Sequence, residues 1–294
     1  MTDVHVLTPP RRLRIVHRTG YRYRAPVVAS YNEARMTPLT TAQQVTLEAR
    51  IEAEPMTWTR AYWDYWGTQV TAFDVLAPHE ELTVVSSSLV ETHPAPDRGG
   101  STAPATSVGW DALSDPALVD VQHEFLTQTS WTEPVEEIVG LARDAAGERP
   151  PDAAARAVCE RIGGLMTYVP GATSVTSRAR DAWASREGVC QDFAHVTLGA
   201  LRALGIPARY VSGYLHPRPD AALGETVEGQ SHAWVEWWAG DWIGYDTTHT
   251  APAGEDHVVV ARGRDYGDVP PLKGVYAGTS ASQLFVSVEV TRLA

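Results

Sequence analysis

An α+β fold, with strands segregated from helices, is the class this 294-residue sequence predicts. Three observations carry it. Residues 11–94 are rich in two-residue alternation, the period of a half-buried strand. Residues 115–204 carry apolar stripes at helical spacing instead. The tail returns to alternation, with Leu284, Val286, Val288 and Val290 on one face. Strands, then helices, then strands do not make repeating βαβ units, so a doubly wound parallel sheet is not expected.

In the first segment, Val45, Leu47, Ala49 and Ile51 alternate with polar residues as a half-buried strand, and residues 82–90 form another β-rich run. Residues 62–67, Tyr62-Trp63-Asp64-Tyr65-Trp66-Gly67, are aromatic and turn-like; core and interface packing is the better reading than a ligand platform. Residues 94–109 are rich in Pro, Gly, Ser, Thr and Ala. The chain therefore divides into a β-rich domain (1–95), a linker (96–110) and a larger domain (111–294) ending in a β extension. Asp115-Pro116 opens a helix, with proline at the first helical position. Val135, Ile138, Val139 and Ala142 form one helical stripe; Ala155, Val158, Cys159, Ile162 and Leu165 form another, where Cys159 reads as an inert core thiol. Ser177 is placed to cap a short helix that stops before Gly188. A further helix starts near Cys190, buries Phe193, Thr197, Ala200, Leu201 and Leu204, and ends at Gly205 before Pro207. Tyr210, Ser212 and Tyr214 alternate as a strand, residues 216–230 read as a loop, and residues 231–248 as a Trp-rich hairpin.

Charge narrows the partners. The formal net charge of −12 and pI of about 5.3 repel phosphate backbones and anionic membranes, so neither nucleic acid nor membrane is an expected partner. Lys273 is the only lysine, the mark of an Arg-rich chain rather than of a function. Cys159 and Cys190 are too few for a disulfide framework. No apolar run is long enough to span a bilayer, and residues 1–10 lack a secretory pattern, which makes the cytoplasm the default location. Oligomeric state is not legible.

The chemistry concentrates in Gly188-Val189-Cys190-Gln191-Asp192. A glycine, read as leaving room for a tight turn and for substrate, precedes a cysteine at a helix start. Free N–H groups and the helix dipole there favour a thiolate, and beside an imidazolium a thiol pKa can fall to roughly 3.5–7.5. The same N–H groups can hold an oxyanion. A base is supplied by Ser231-His232-Ala233-Trp234-Val235-Glu236, whose alternation places His232, Trp234 and Glu236 on one face. An orienting carboxylate is supplied by Tyr245-Asp246-Thr247-Thr248. Parity tests the pairing: a three-residue turn at Ala239-Gly240-Asp241 puts His232 and Asp246 on one face as diagonal neighbours, and a two-residue turn puts them on opposite faces. His195 points to another side of the helix and reads as a satisfied core histidine; His249 follows Asp246 closely and ranks below His232 as base. Zinc is a weaker reading, because neither CxxC nor HExxH spacing is present; no metal or other cofactor is expected.

These blocks, in this order, resemble the core of the bacterial transglutaminase-like family. Residues 201–210, Leu-Arg-Ala-Leu-Gly-Ile-Pro-Ala-Arg-Tyr, match the continuation of its nucleophile helix. His17-Arg18-Thr19-Gly20-Tyr21-Arg22-Tyr23 is similar to the family's β-rich N-terminal domain, and residues 263–271 to its C-terminal signature. The resemblance covers nearly the whole chain. It implies a papain-like α+β core, a Cys190-His232-Asp246 triad, metal-independent acyl chemistry on peptide or protein amides, and hydrolysis, deamidation or amine transfer as outcomes. One departure stands out: Thr247 replaces the proline common after the family's aspartate. Gln191 and Tyr168 are the candidates for lining the oxyanion pocket.

Overall fold

Alternating residues at the front of the chain become six strands: β1 (Arg11–Val27), β2 (Ala29–Ala34), β3 (Gln44–Glu54), β4 (Trp58–Trp63), β5 (Gln69–Val75) and β6 (His79–Thr92). The structure, a computed structural model, describes residues 10–94, 108–218 and 220–294. Most of the expected linker, 96–110, lies outside the described residues. Helices follow: α1 (Trp110–Leu113), α2 (Pro116–Val121), α3 (His123–Leu126), α4 (Glu136–Ala146) and α5 (Pro151–Gly163). Asp115 caps α2 by accepting from the Ala117 N–H, with Pro116 at the first position. Next come β7 (Thr167–Tyr168), α6 (Ala179–Ser185), β8 (Glu187–Gly188) and α7 (Cys190–Ala203). The last part is β9 (Ala208–Leu215), β10 (Thr226–Trp238), β11 (Trp242–Asp246), β12 (Ala251–Pro252), β13 (His257–Gly263), a 3-10 turn (Tyr266–Asp268), β14 (Leu272–Ala277) and β15 (Ser282–Arg292).

The two chain ends share sheets. A nine-stranded sheet runs β12-β11-β10-β15-β1-β6-β3, with β9 also on β10 and β13 on β9; a four-stranded sheet runs β14-β2-β5-β4. β15 thus lies between β10 and β1, and β14 edges β2. Tyr23, Met36, Phe73 and Leu82 pack the two sheets together. The larger core forms where α4, α5 and α7 cover β9 and β10, around Trp183, Phe193, Trp237 and Tyr245. Every residue of α7 from Gln191 to Arg202 is buried, and each large apolar side chain so buried contributes roughly 1.5–3 kcal/mol. Gly199 lets α7 approach the Thr132 carbonyl oxygen, which a Cβ would overlap. Arg202 is buried without a carboxylate beside it in its hydrogen bonds; its guanidinium donates to the carbonyls of Thr127, Ala208 and Arg264 and to Thr132 Oγ1.

Four local expectations change. β3 forms, but Val45 and Leu47 are exposed, because β3 is the sheet's edge and a bulge at Leu47 disturbs the register. α6 is capped one residue beyond the expected Ser177, at Arg178, whose N–H is satisfied by Asp181. Tyr62 and Trp63 belong to β4 rather than to a turn. The expected loop 216–230 is strand from Thr226 onward, since those residues pair with β15.

Candidate active site

Geometry at the hairpin follows from the turn. Trp238 pairs with Trp242 and Val235 with Tyr245, so β10 and β11 are joined by the three residues 239–241, with Gly240 at φ +98°. That parity sets Asp246 across from Trp234 and diagonal to His232. Their side chains meet: His232 Nε2 lies 2.7 Å from Asp246 Oδ2, and both residues are buried.

Asp246 collects more than one histidine. Oδ2 also meets His249 Nδ1 at 2.7 Å and His257 Nε2 at 3.2 Å, while Oδ1 accepts the backbone N–H groups of Thr248 and His249. Burial raises the Asp246 pKa, but the hydrogen bonds from the three histidines outweigh it and hold the carboxyl well below the usual range. A carboxylate accepts only, so each ring nitrogen facing it carries a proton. His257 fits this tautomer, because the Gly254 N–H donates to its Nδ1. His232 is left with Nδ1 as its basic nitrogen. The hydrogen bond to Asp246 also raises the His249 pKa.

Cys190 opens α7 and is half-buried. It lines, with His232, a cleft of about 420 Å³, within the range of ligand sites. Burial pushes its thiol up to about 11; the backbone amides of Ala233 and Gln191 hydrogen-bond the sulfur and pull the other way. Removal from water thus opposes the thiolate that the helix terminus favours. The reading of Gly188 is corrected. Its φ is not in the left-handed region, and the space beside it holds Asp192, whose Cβ lies 2.7 Å from where a Gly188 Cβ would sit. Asp192 in turn accepts from the Val189 N–H and from Thr173 Oγ1, closing the start of α7.

Gln191 and Tyr168 both line the cleft. The Gln191 side-chain amide donates to the Val175 carbonyl at 3.4 Å, and Tyr168 Oη donates to Gln230 Oε1 at 3.4 Å. His195 stands apart inside α7, where its Nε2 accepts the Tyr266 N–H; burial, then the Arg202 charge, press its pKa down to about 3. Cys159 is fully buried, and burial pushes it up to about 12. Thr247, in place of the expected proline, accepts from Thr197 Oγ1 and ties the end of β11 to α7. Ligand atoms of His232, Asp246 and His249 lie within 4.8 Å of one another, a set able to hold a metal ion at the expense of the Oδ2 hydrogen bonds; Cys190 is not in that set. A second cavity, about 330 Å³, lies beyond His257 between Trp234, Trp242 and Arg156; it has no thiol, and the reactive groups converge on the Cys190 cleft instead.

Two contributions escaped the sequence reading. His257 sits in no motif, and only the fold brings β13 to Asp246. Leu284 and Val286 read as core alternation, yet they form a wall of the cleft. Among the described residues no helix is long and apolar enough to cross a membrane.

Comparison with known proteins adds two family models. Residues 13–91 match the bacterial transglutaminase-like N-terminal region, and residues 139–247 match the transglutaminase-like superfamily. The uncharacterized protein ML0607 of Mycobacterium leprae is 47% identical over 284 residues, covering 96% of this chain and 99% of that protein. A protein-glutamine gamma-glutamyltransferase of Pseudomonas aeruginosa is 35% identical over 89 residues, 28% of this chain and 13% of that protein. A crystal structure of a candidate cysteine protease from Cytophaga hutchinsonii superposes with a TM-score of 0.73 at 22% identity, covering 98% of this chain and 92% of that one; at that identity the likeness concerns the fold.

Proposed function

The chain belongs to the transglutaminase-like superfamily, and from that premise we propose that it is a thiol-dependent acyl-transfer enzyme acting on peptide or glutamine-type amides. The observation that carries this reading is the 2.7 Å contact between His232 Nε2 and Asp246 Oδ2, which leaves Nδ1 of His232 as the base in a cleft it shares with Cys190. The Cys190 thiol gives its proton to His232 Nδ1 as the sulfur attacks the amide carbonyl carbon. The oxyanion is held by the Cys190 N–H and a second donor, for which Gln191 and Tyr168 are the candidates. His232 returns the proton to the leaving nitrogen, the C–N bond breaks, and a thioester remains. Asp246 keeps His232 in its tautomer and stabilises the imidazolium.

Water is our acceptor of choice, because among the described residues Glu228 is the one carboxylate along the cleft, and it lies exposed on the strand rather than in a built amine pocket. The partial match to a glutamyltransferase supports the amine alternative. A mixed peptide library, offered with and without a labelled amine and read by mass spectrometry, separates cleavage, deamidation and amine incorporation. Loss of all three in Cys190→Ala is expected. Product formation undiminished in that variant would sink the reading and leave a binding module.

A further inference from the structure

We propose that the substrate enters as an extended peptide that adds a strand to the open edge of β15 beside Cys190. This rests on the acyl-transfer reading and names its substrate class: a protein or peptide segment held by its main chain.

The edge arises from how β10 divides its partners. β15 pairs with β1 along Ser282–Arg292, but β10 pairs with β15 only over Val288–Thr291. From Gln230 onward β10 diverges from β15 and is held by β9 along its other edge. Among the described residues, no strand pairs with residues 282–287 on the side away from β1.

Backbone direction along that edge can be read from its ends. The Arg292 carbonyl accepts the Gly224 N–H on the β10 side, and the Ala281 carbonyl accepts the Arg24 N–H on the β1 side. Two-residue alternation then turns the N–H and C=O groups of Ser282, Leu284 and Val286 toward the open side. Leu284 and Val286 are about half exposed as residues, 48% and 49%, and both line the cleft that contains Cys190 and His232. Proteins normally blunt an open apolar edge with charge or proline; here it is kept bare next to a nucleophile. The opposite wall is β10 itself, where the backbone amide of Ala233 hydrogen-bonds the Cys190 sulfur. A strand laid on β15 therefore passes the thiol.

The occupant is a peptide because the surroundings select main chain over charge. Apart from Glu228 and two histidines, the described residues of the cleft lining are apolar or uncharged polar. Strand addition obtains affinity from backbone hydrogen bonds and takes specificity from every second side chain, which Leu284 and Val286 would contact.

The test uses the wild-type enzyme with peptides drawn from the library that it turns over, each backbone-methylated at one nitrogen in turn. Strand addition predicts losses of about two- to tenfold in kcat/KM at alternate positions and little at those between, the effect of deleting single hydrogen bonds. Leu284→Pro, which removes an N–H from the open edge and none from the β1 ladder, is expected to lower the ratio of peptide to p-nitrophenyl acetate turnover by a similar factor. Cys190-dependent turnover without the alternating pattern overturns the edge proposal alone. Turnover that ignores Cys190→Ala overturns the acyl-transfer reading beneath it. If Leu284→Pro instead changes the sedimentation of the protein and not the peptide ratio, the edge belongs to a second copy of this chain and the proposal fails.

Discussion

Lowering the pH from 7 to 5 should cost this protein about 4 kcal/mol of stability through two buried histidines. Burial presses His17 down to about 4, and burial with the Arg202 charge presses His195 down to about 3. Both are almost fully inaccessible. Their unfolded value is 6.5, so between that pH and the folded values the unfolded chain binds protons that the native one refuses. Stability from each is therefore present above pH 6.5 and is lost as pH falls toward its folded pKa. At pH 5 each site has crossed about 1.5 units of that gap, roughly 2 kcal/mol per site at 1.36 kcal/mol per unit. Domains commonly hold only 5–15 kcal/mol in all. His249 acts with the opposite sign: its pKa is raised by Asp246, so its stabilisation is present at low pH and is lost as pH rises through the folded value. The diagnostic is consequently a difference between proteins. His195→Gln keeps an acceptor for the Tyr266 N–H without a titrating group. Urea unfolding at pH 7 and pH 5 should show the wild type losing about 2 kcal/mol more than the variant. Equal losses in the two proteins would refute the linkage argument for His195.

Three further outcomes are expected. Asp246→Asn puts an amide N–H where three histidine N–H groups now converge, forces His232 toward the wrong tautomer, and should reduce Cys190-dependent kcat by about 10⁴, the scale of such replacements in triads; a loss under tenfold would remove Asp246 from the orienting role. Iodoacetamide alkylation of Cys190 should accelerate about tenfold per pH unit between pH 7 and 9, because burial raises its thiol and only the thiolate reacts; a rate already flat at pH 7 would restore the resting ion pair, and Cys159 should label only on unfolding. Gly199→Ala drives a methyl group into the Thr132 carbonyl oxygen and should cost about 1–3 kcal/mol or more of stability, read as a lowered Tm with α7 still helical by circular dichroism.

Much of the fold was legible because its signals are local. The stripe Ala155, Val158, Cys159, Ile162 and Leu165 reads as a buried helix face; the first four are fully buried in α5, while Leu165 lies exposed past its end at Gly163. The hairpin was legible from parity, since a period of two makes face assignment depend only on loop length. What could not be read depends on distant pairing. His257 meets Asp246 because β13 pairs with β9 and not with its neighbour in sequence. Val45 and Leu47 alternate like core residues, but nothing local tells an edge strand from a central one. Cys190 has a related lesson: a helix terminus is visible in sequence, whereas the burial that opposes a thiolate there is not.

Strand geometry couples the base to the nucleophile more tightly than the order of motifs suggests. In β10 the even residues His232, Trp234 and Glu236 point their side chains to one face. The Trp238 N–H donates to the Pro207 carbonyl beside β9, and the Arg292 carbonyl of β15 faces β10, so alternation aims even residues of β10 at β9 and odd residues at the edge that carries β15 and β11. Between those two partners the same edge is left unpaired at Ser231 and Ala233, and there the Ala233 amide reaches the Cys190 sulfur. A strand cannot change one of these without the other. Slipping β10 by one residue against β9 would take His232 off Asp246 and withdraw the amide from the sulfur in a single step. Changing the length of the 239–241 turn is different, because it inverts only β11. That would move Asp246 to the far face while β10, held by β9 over Gln230–Trp237, kept its grip on Cys190. β10 thus fixes the base and the amide that meets the sulfur, and the carboxylate is the one member whose position the turn controls.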